Sequence, residues 1–198
     1  MRYTGPKWRI NRRENSTVLG SSDKWKRRMS LPGQFPVLKK RASDYAFQFR
    51  EKQKVKRMYG LNEKQFRRFY KLALKATGNS GTRLLQLLEL RADNVLYKLG
   101  LAETRAQARQ LINHGHIRLN GKKHTIPSTI LKVGDELELT DKIKSSPLFS
   151  LIENSLKGYK TPKWLSRLSN GGKVLSEPSR EEIEPGIREK LIIELYSR

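Results

Sequence analysis

"TRAQARQLINHGHIRLNGKK", residues 104–123, decides the fold. Thr104 and Gln107 have capping-box spacing, in which the two side chains satisfy backbone donors that a first helical turn leaves open. The helix then runs from about Arg105 to His114, and Gly115 is placed to end it in the left-handed conformation glycine adopts without steric cost. Helical periodicity puts Ala108, Leu111 and Ile112 on an apolar face and Arg105, Arg109 and Asn113 on the polar face beside it. Asn120-Gly121 follows, the strongest short-range signal for a two-residue hairpin. "VGDELEL" (133–139) adds a turn at Gly134-Asp135, then "ELEL", alternating polar and apolar as a half-buried strand does. Helices packed on a small antiparallel sheet are the expected result. One rim would carry Arg105, Arg109, Asn113, His114, His116, Arg118, Lys122 and Lys123, while Glu136 and Glu138, on another strand, face elsewhere.

Guanidinium groups one helical turn apart suit successive phosphates, since each can fork two hydrogen bonds to phosphate oxygens. No nucleophile, base and orienting group recur in a catalytic pattern. A His-x-His metal site would need at least one further ligand, and the chain has no cysteine to supply it. No metal, cofactor or catalytic residue is therefore expected.

Working outward, Ala92, Val95, Leu96 and Leu99 repeat the helical spacing before Gly100, and "LLQLLEL" (84–90) reads as core. "ATGNSGT" (76–82) reads as a loop. Asn62 and Gln65 form a second capping box, opening a helix whose Phe66, Phe69, Tyr70 and Ala73 make one apolar stripe. Lys64, Arg67, Arg68, Lys71 and Lys75 take its other side. Ser43 can cap a helix reaching about Tyr59, with Gly60 to close it. Towards the other end, "TPKWLSRL" (161–168) offers Pro162 and Trp164 for packing, and "LIIELYSR" (191–198) reads as a strand. Glu181, Glu182 and Glu184 form a local acidic cluster.

The 198 residues carry a net charge of +23, and residues 1–60 alone hold 17 Lys+Arg against 4 Asp+Glu. Such self-repulsion destabilises a compact monomer, so a large polyanion is the natural partner. No apolar run has the length of a membrane span and no signal or transit peptide opens the chain, which favours nucleic acid over a membrane surface. The absence of cysteine fits a reducing compartment. The first third, poor in periodicity, reads as a basic extension whose Trp8, Trp25, Phe35 and Tyr45 need covering.

"RADNVLYKLGLAETRAQARQLINHGHIRLNGKK" (91–123) with "VGDELEL" resembles the RNA-binding module named after small-subunit ribosomal protein S-four. "RYTGP" (2–6), "RR" (12–13), "PGQ" (32–34), "SDY" (43–45), "REKQKVKRMYG" (50–60), "EKQFRRFY" (63–70), "LLQLLELRADN" (84–94) and "LIIELYSR" extend the resemblance to the whole bacterial-type ribosomal family. The implied class is α+β: a basic extension (1–42), a helical domain (43–90), an inserted S-four-type module (91–152), and a C-terminal segment (153–198) packing back on the helical domain.

The resemblance implies a non-enzymatic, primary binder of 16S ribosomal RNA that nucleates assembly of the five-prime domain in the small subunit. The simplest home would be a bacterial cytoplasm, with a plastid ribosome as the alternative. Contacts would come from Arg2, Arg9, Arg12 and Arg13 in the extension, and from Arg50, Lys52, Lys54, Lys56, Arg57 and Tyr59 in the first long helix. Lys64, Arg67, Arg68 and Lys71 would add a second set, and the rim with Asn120 a third. Lys39, Lys40 and Arg41, just before "SDY", would touch messenger RNA at the entry channel. Ribosomal protein S-five would be a neighbour affecting decoding accuracy, beside other small-subunit proteins. Many members hold zinc with a cluster beginning Cys-x-x-Cys, but Trp8 and Asn11 stand at those positions, implying a zinc-free arm held by Trp8, Trp25 and RNA. Phe35 and Pro36 follow Gln34 where the family often continues His-Gly. The alternatives are an RNA-modifying enzyme, for which residues 140–198 leave little room for a catalytic domain, and a free-standing RNA-binding regulator, which would not require the basic extension.

Overall fold

The computed structural model describes residues 3–20, 30–33, 43–145 and 159–197. Its helices are α1 (Lys7–Glu14), α2 (Asp44–Met58), α3 (Glu63–Lys75), α4 (Ser80–Glu89), α5 (Ala92–Lys98), α6 (Arg105–Asn113), α7 (Asp141–Lys144) and α8 (Glu189–Ser197). Its strands are β1 (Ile117–Leu119), β2 (Lys122–His124), β3 (Glu136–Leu139), β4 (Leu165–Leu168) and β5 (Gly171–Val174). The chain divides into two compact units, Met1–Gly81 with Gly186–Arg198, and Thr82–Pro185.

In the first unit the caps form as the sequence indicates. The Ser43 hydroxyl accepts from the Ala46 N–H, and Asn62 and Gln65 bond reciprocally at 2.7 and 3.3 Å. Phe66, Phe69, Tyr70 and Ala73 are buried on one face of α3, each large side chain contributing about 1.5–3 kcal/mol of transfer free energy. Against them lies α8. "LIIELYSR" is thus a helix rather than the expected strand: Ile192 is fully buried, and one turn later Tyr196 stacks on Tyr70 (4.6 Å) and Phe66 (6.2 Å). A short apolar run satisfies either period, and here the i, i+4 pair has the partners.

The extension is partly folded in its own right. Asn11, buried, donates to the Gly20 carbonyl (2.7 Å) and accepts from the Leu19 N–H (3.1 Å). Arg12, also buried, reaches the carbonyls of Ser30 (2.7 Å) and Leu31 (3.0 Å), with its guanidinium 5.6 Å from the Trp8 ring centroid. These side-chain bonds to backbone, with Trp8 in support, fasten the arm at the position where zinc was expected to be missing. Trp25 lies outside the described residues.

The second unit has one hydrophobic core, in which Leu96, Leu99, Ile112, Ile117, Leu137 and Trp164 are buried between α5, α6 and the sheet. The sheet is fully antiparallel, in the order β2-β1-β3-β5-β4. Asn120 and Gly121 both have positive φ (50° and 77°), the geometry of a type I′ hairpin. The Thr104 hydroxyl caps α6 through the Gln107 N–H, while the Gln107 amide oxygen takes the Glu103 N–H instead of closing the box on Thr104. Helix α4 begins at Ser80, inside the stretch expected as a loop. The larger difference is at β4 and β5. Residues 153–198 were expected to pack on the helical domain, yet 165–174 complete the sheet by pairing β5 with β3.

Candidate nucleic-acid interface

The structure sorts the cations of the expected interface into two groups. On α2 nearly all are held by internal acceptors. Arg50 (3.2 Å) and Arg57 share the buried Glu14 carboxylate. Lys52 and Lys56 each lie 2.8 Å from Glu63, which also accepts from the Tyr196 hydroxyl at 2.6 Å. Lys54 donates to the Gly186 carbonyl and pairs with Glu51. Tyr59 is buried. The cations of this helix that were expected at RNA are thus engaged by internal acceptors, with Arg50 and Arg57 still partly exposed. Its cations face carboxylates that, Glu51 apart, lie well outside the helix's own turns.

The titrations follow from those surroundings. Burial would raise the Glu63 pKa, but hydrogen bonds from Lys52, Lys56 and Tyr196 outweigh it and bring the pKa down to about 2. At Glu14 burial wins and the pKa is raised, although Arg50 and Arg57 oppose it. Burial and the Glu63 carboxylate push the Tyr196 phenol upward.

Helix α3 behaves otherwise. Lys64, Arg67, Arg68, Lys71 and Lys75 are exposed, and among the described residues no ion pair engages them. They form a basic stripe directly opposite the buried aromatic stripe. Arg9 and Arg13 on α1 are exposed as well, whereas Arg12 is internal. Arg2, Lys39, Lys40 and Arg41 lie outside the described residues.

In the second unit Arg105 and Arg109 share one helix face as expected but point into an internal network. Arg109 makes two hydrogen bonds to one oxygen of Asp93, at 2.7 and 3.0 Å. Arg91, 2% exposed, binds both oxygens of the same carboxylate, at 3.0 and 2.7 Å. Arg105 donates to Asn94 (2.8 Å), lies 3.7 Å from Glu184 and stacks over Tyr97 at 4.6 Å. Glu184, from the cluster noted in sequence, also pairs with Lys98, and Glu182 accepts the Ser179 N–H. These carboxylates brace the module.

The remaining rim is open in part. Asn113, His114, Lys122 and Lys123 are exposed and His116 is half-buried. Asn120 is locked in its turn, donating to Asp135 and accepting from the Glu136 N–H. Arg118 pairs with Asp141 at 3.3 Å. Directly across the ladder from Arg118 stands Glu138, so Glu138 shares its face instead of pointing elsewhere. Lys142 on α7 joins this rim beside His116, a contribution that sequence periodicity did not reveal. His124, the third histidine, is tied into its own loop by Thr129 Oγ1 (2.9 Å) and the Ile126 carbonyl (2.8 Å). Among the described residues no three His, Asp or Glu side chains gather as a metal site, and no helix is long and apolar enough to cross a membrane.

An α+β chain with two compact units, each displaying exposed cations on a regular element, has the build of a protein that holds a polyanion by its phosphates. Residues 2–89 match the family described as "Ribosomal protein S4/S9 N-terminal domain", and residues 90–137 match the S4 domain. The chain is 45% identical to the small ribosomal subunit protein uS4 of Acetivibrio thermocellus and 47% identical to that of Opitutus terrae, covering 100% of this chain and 99% and 98% of theirs. The counterpart in Herpetosiphon aurantiacus is 45% identical over 99% of its length. The chain belongs to the uS4 family, and these relatives are named as small ribosomal subunit proteins rather than as enzymes.

Proposed function

We propose that this chain is a structural constituent of the small ribosomal subunit that binds 16S ribosomal RNA through its open cations. Full-length identity to proteins of that name carries the reading. The basic stripe of α3 and the Asn113–Lys123 rim are the surfaces assigned to RNA. Recognition there is by shape and phosphate position, since side chains do not read bases in the deep groove of an RNA helix. Within the subunit the protein would bind the five-prime domain early and nucleate its folding. Lys39, Lys40 and Arg41 would line the messenger-RNA entry channel, and contact with ribosomal protein S-five would contribute to accuracy; both rest on the family resemblance.

Arg105, Arg109 and the α2 cations are assigned to holding the surfaces in shape, not to phosphates. The test compares the wild type with a variant changing Lys64, Arg67, Arg68 and Lys71 to Gln. Binding to five-prime-domain RNA is measured across salt, with an unrelated structured RNA of equal length as competitor. The slope of log affinity against log salt should shrink by roughly 3, since each phosphate that is no longer neutralised removes about 0.7–0.9 from it. An unchanged slope would remove α3 from the interface. Equal affinity for both RNAs at every salt would leave only generic polyanion binding.

A further inference from the structure

Helix α6 ends at Gly115 with φ 71°, and that residue sets the imidazoles of His114 and His116 side by side, their centroids 6.1 Å apart at 52°. The end is sealed by backbone bonds: the N–H groups of His114, Gly115 and His116 reach Gln110, Ile112 and Leu111 carbonyls, so the spacing is rigid. Lys123 crosses over Gly115 from β2 so closely that a Cβ there would lie 2.4 Å from its Cε. The Thr140 N–H donates to the His116 carbonyl, which brings the start of α7, and with it Lys142, to the same spot. Of the negative groups on the surrounding elements, Asp141 pairs with Arg118 at 3.3 Å, and Glu138 of β3 is the residue opposite Arg118 in the ladder. Two imidazoles thus stand beside Lys123, with Lys142 on the neighbouring helix acting on His116 through its charge, and the nearby Asp141 is already paired with Arg118.

We propose that His114, His116, Lys123 and Lys142 form a single phosphate clamp that is completed when the imidazoles are protonated, so that RNA binding takes up protons. This rests on the RNA-binding reading above and adds a regulation to it. Without an anion, protonating the pair sets positive charges against one another. Burial, the His114 charge, Lys142 and Lys123 together lower the His116 pKa. A phosphodiester with two free oxygens reverses that balance: each imidazolium N–H gains a charged acceptor, and the two ammonium groups no longer oppose it. The sign follows from linkage. Protonation is favoured in the complex, the imidazole pKa rises on binding, and affinity increases as pH falls. Each imidazole whose pKa rises by one unit on binding makes the complex about tenfold tighter once the pH lies below both values.

The experiment titrates five-prime-domain RNA with the full-length protein at fixed salt, at pH 8.0 and pH 5.8. The wild type should bind roughly tenfold or more tightly at the lower pH. A His114→Gln/His116→Gln variant should lose that ratio, whatever its affinity at pH 8, and His124→Gln, away from the clamp, should keep it. A second measurement needs no variant: the C2–H resonance of His116, followed by NMR, should titrate at higher pH in the complex than in the free protein. Specific binding with a pH ratio near one, a ratio that survives in the double variant, or an unmoved His116 titration would overturn the clamp alone. Loss of preference for the five-prime domain over an unrelated RNA at both pH values would overturn the RNA-binding reading itself.

Discussion

Asp93→Asn removes one charge from the centre of the module, and the structure sets the size of the result. The Asp93 carboxylate is 4% exposed and accepts four hydrogen bonds, two from Arg91 and two from Arg109. Arg91 is itself 2% exposed. Breaking a buried ion pair by neutralising one partner costs about 3–5 kcal/mol, because the other charge stays desolvated. Here two guanidiniums are left facing each other, while the Asn carbonyl still accepts from one of them, which places the loss near the low end, ~3 kcal/mol. A second, smaller loss of about 0.5 kcal/mol comes from removing a carboxylate from the first turn of α5. For a unit of this size within the full chain, about 3 kcal/mol lowers the melting temperature by roughly 6–12 °C. The assay is thermal and urea unfolding of the full chain, following the buried Trp164 of the same unit by fluorescence. Arg109→Ala is the internal comparison: it leaves Asp93 bound to Arg91, and Arg109 is 23% exposed, so its cost should stay near ~1 kcal/mol. An Asp93→Asn change under 1 kcal/mol, or an Arg109→Ala change as large as Asp93→Asn, would refute the reasoning that this carboxylate is the shared anchor.

Glu63 and Glu14 should respond in opposite senses. The Glu63 pKa is lowered from 4.5 to about 2, so its contribution is present above about pH 4.5 and disappears as pH falls towards 2. Glu63→Gln should therefore lose about 1–2 kcal/mol at pH 7, a figure reduced for its exposure, and approach wild-type stability near pH 2.5 in urea titrations. At Glu14 the raised pKa means that burial of the charge outweighs the Arg50 and Arg57 attractions, and both arginines reach solvent. Glu14→Gln should then be neutral within about 0.5 kcal/mol or stabilising at pH 7; a loss above 2 kcal/mol would show that sign to be wrong. Gly171→Ala should cost about 2–3 kcal/mol, since an added Cβ would lie 2.0 Å from the Leu137 carbonyl oxygen and must part β5 from β3. Amide exchange on β5 checks this: protection should fall there and persist in α5.

What could be read from sequence is what neighbours in the chain determine. Ser43, Asn62 and Thr104 cap their helices with residues three positions on, and Asn120-Gly121 turns its own hairpin. The amphipathic stripe of α3 is equally local. Reading failed where the deciding partner is remote. The 165–174 hairpin carries Gly171 and Gly172, which weaken a strand taken alone; their use is to let the Leu137 backbone and the Leu99 side chain approach closely. The helix at 189–197 needed Phe66 and Tyr70 to choose the 3.6-residue period. For the site, sequence located the rim and the stripe, yet an arginine facing solvent and one facing a buried carboxylate look the same in one dimension. Arg109 finds Asp93 sixteen positions back, and Arg57 finds Glu14 across forty-three.

Those distant pairs offset part of the self-repulsion of a chain of net charge +23. Glu14 holds Arg50 and Arg57, Glu63 holds Lys52 and Lys56, Asp93 holds Arg91 and Arg109, and Glu184 holds Lys98 and Arg105. In each case one carboxylate bridges two cations, so scarce negative charge is placed where positive side chains are most crowded. A carboxylate placed between two cations offsets part of their mutual repulsion; at Glu63 that attraction outweighs burial of the carboxylate, whereas at Glu14 burial outweighs it. Under the RNA-binding function proposed above, this implies a division of labour. Bridged cations cannot turn to a phosphate without stranding a carboxylate, so they fix the shape of each unit. The exposed α3 stripe and the rim residues His114, His116, Lys122 and Lys123 are in no ion pair among the described residues, and a phosphate that settles there would displace only counterions and water.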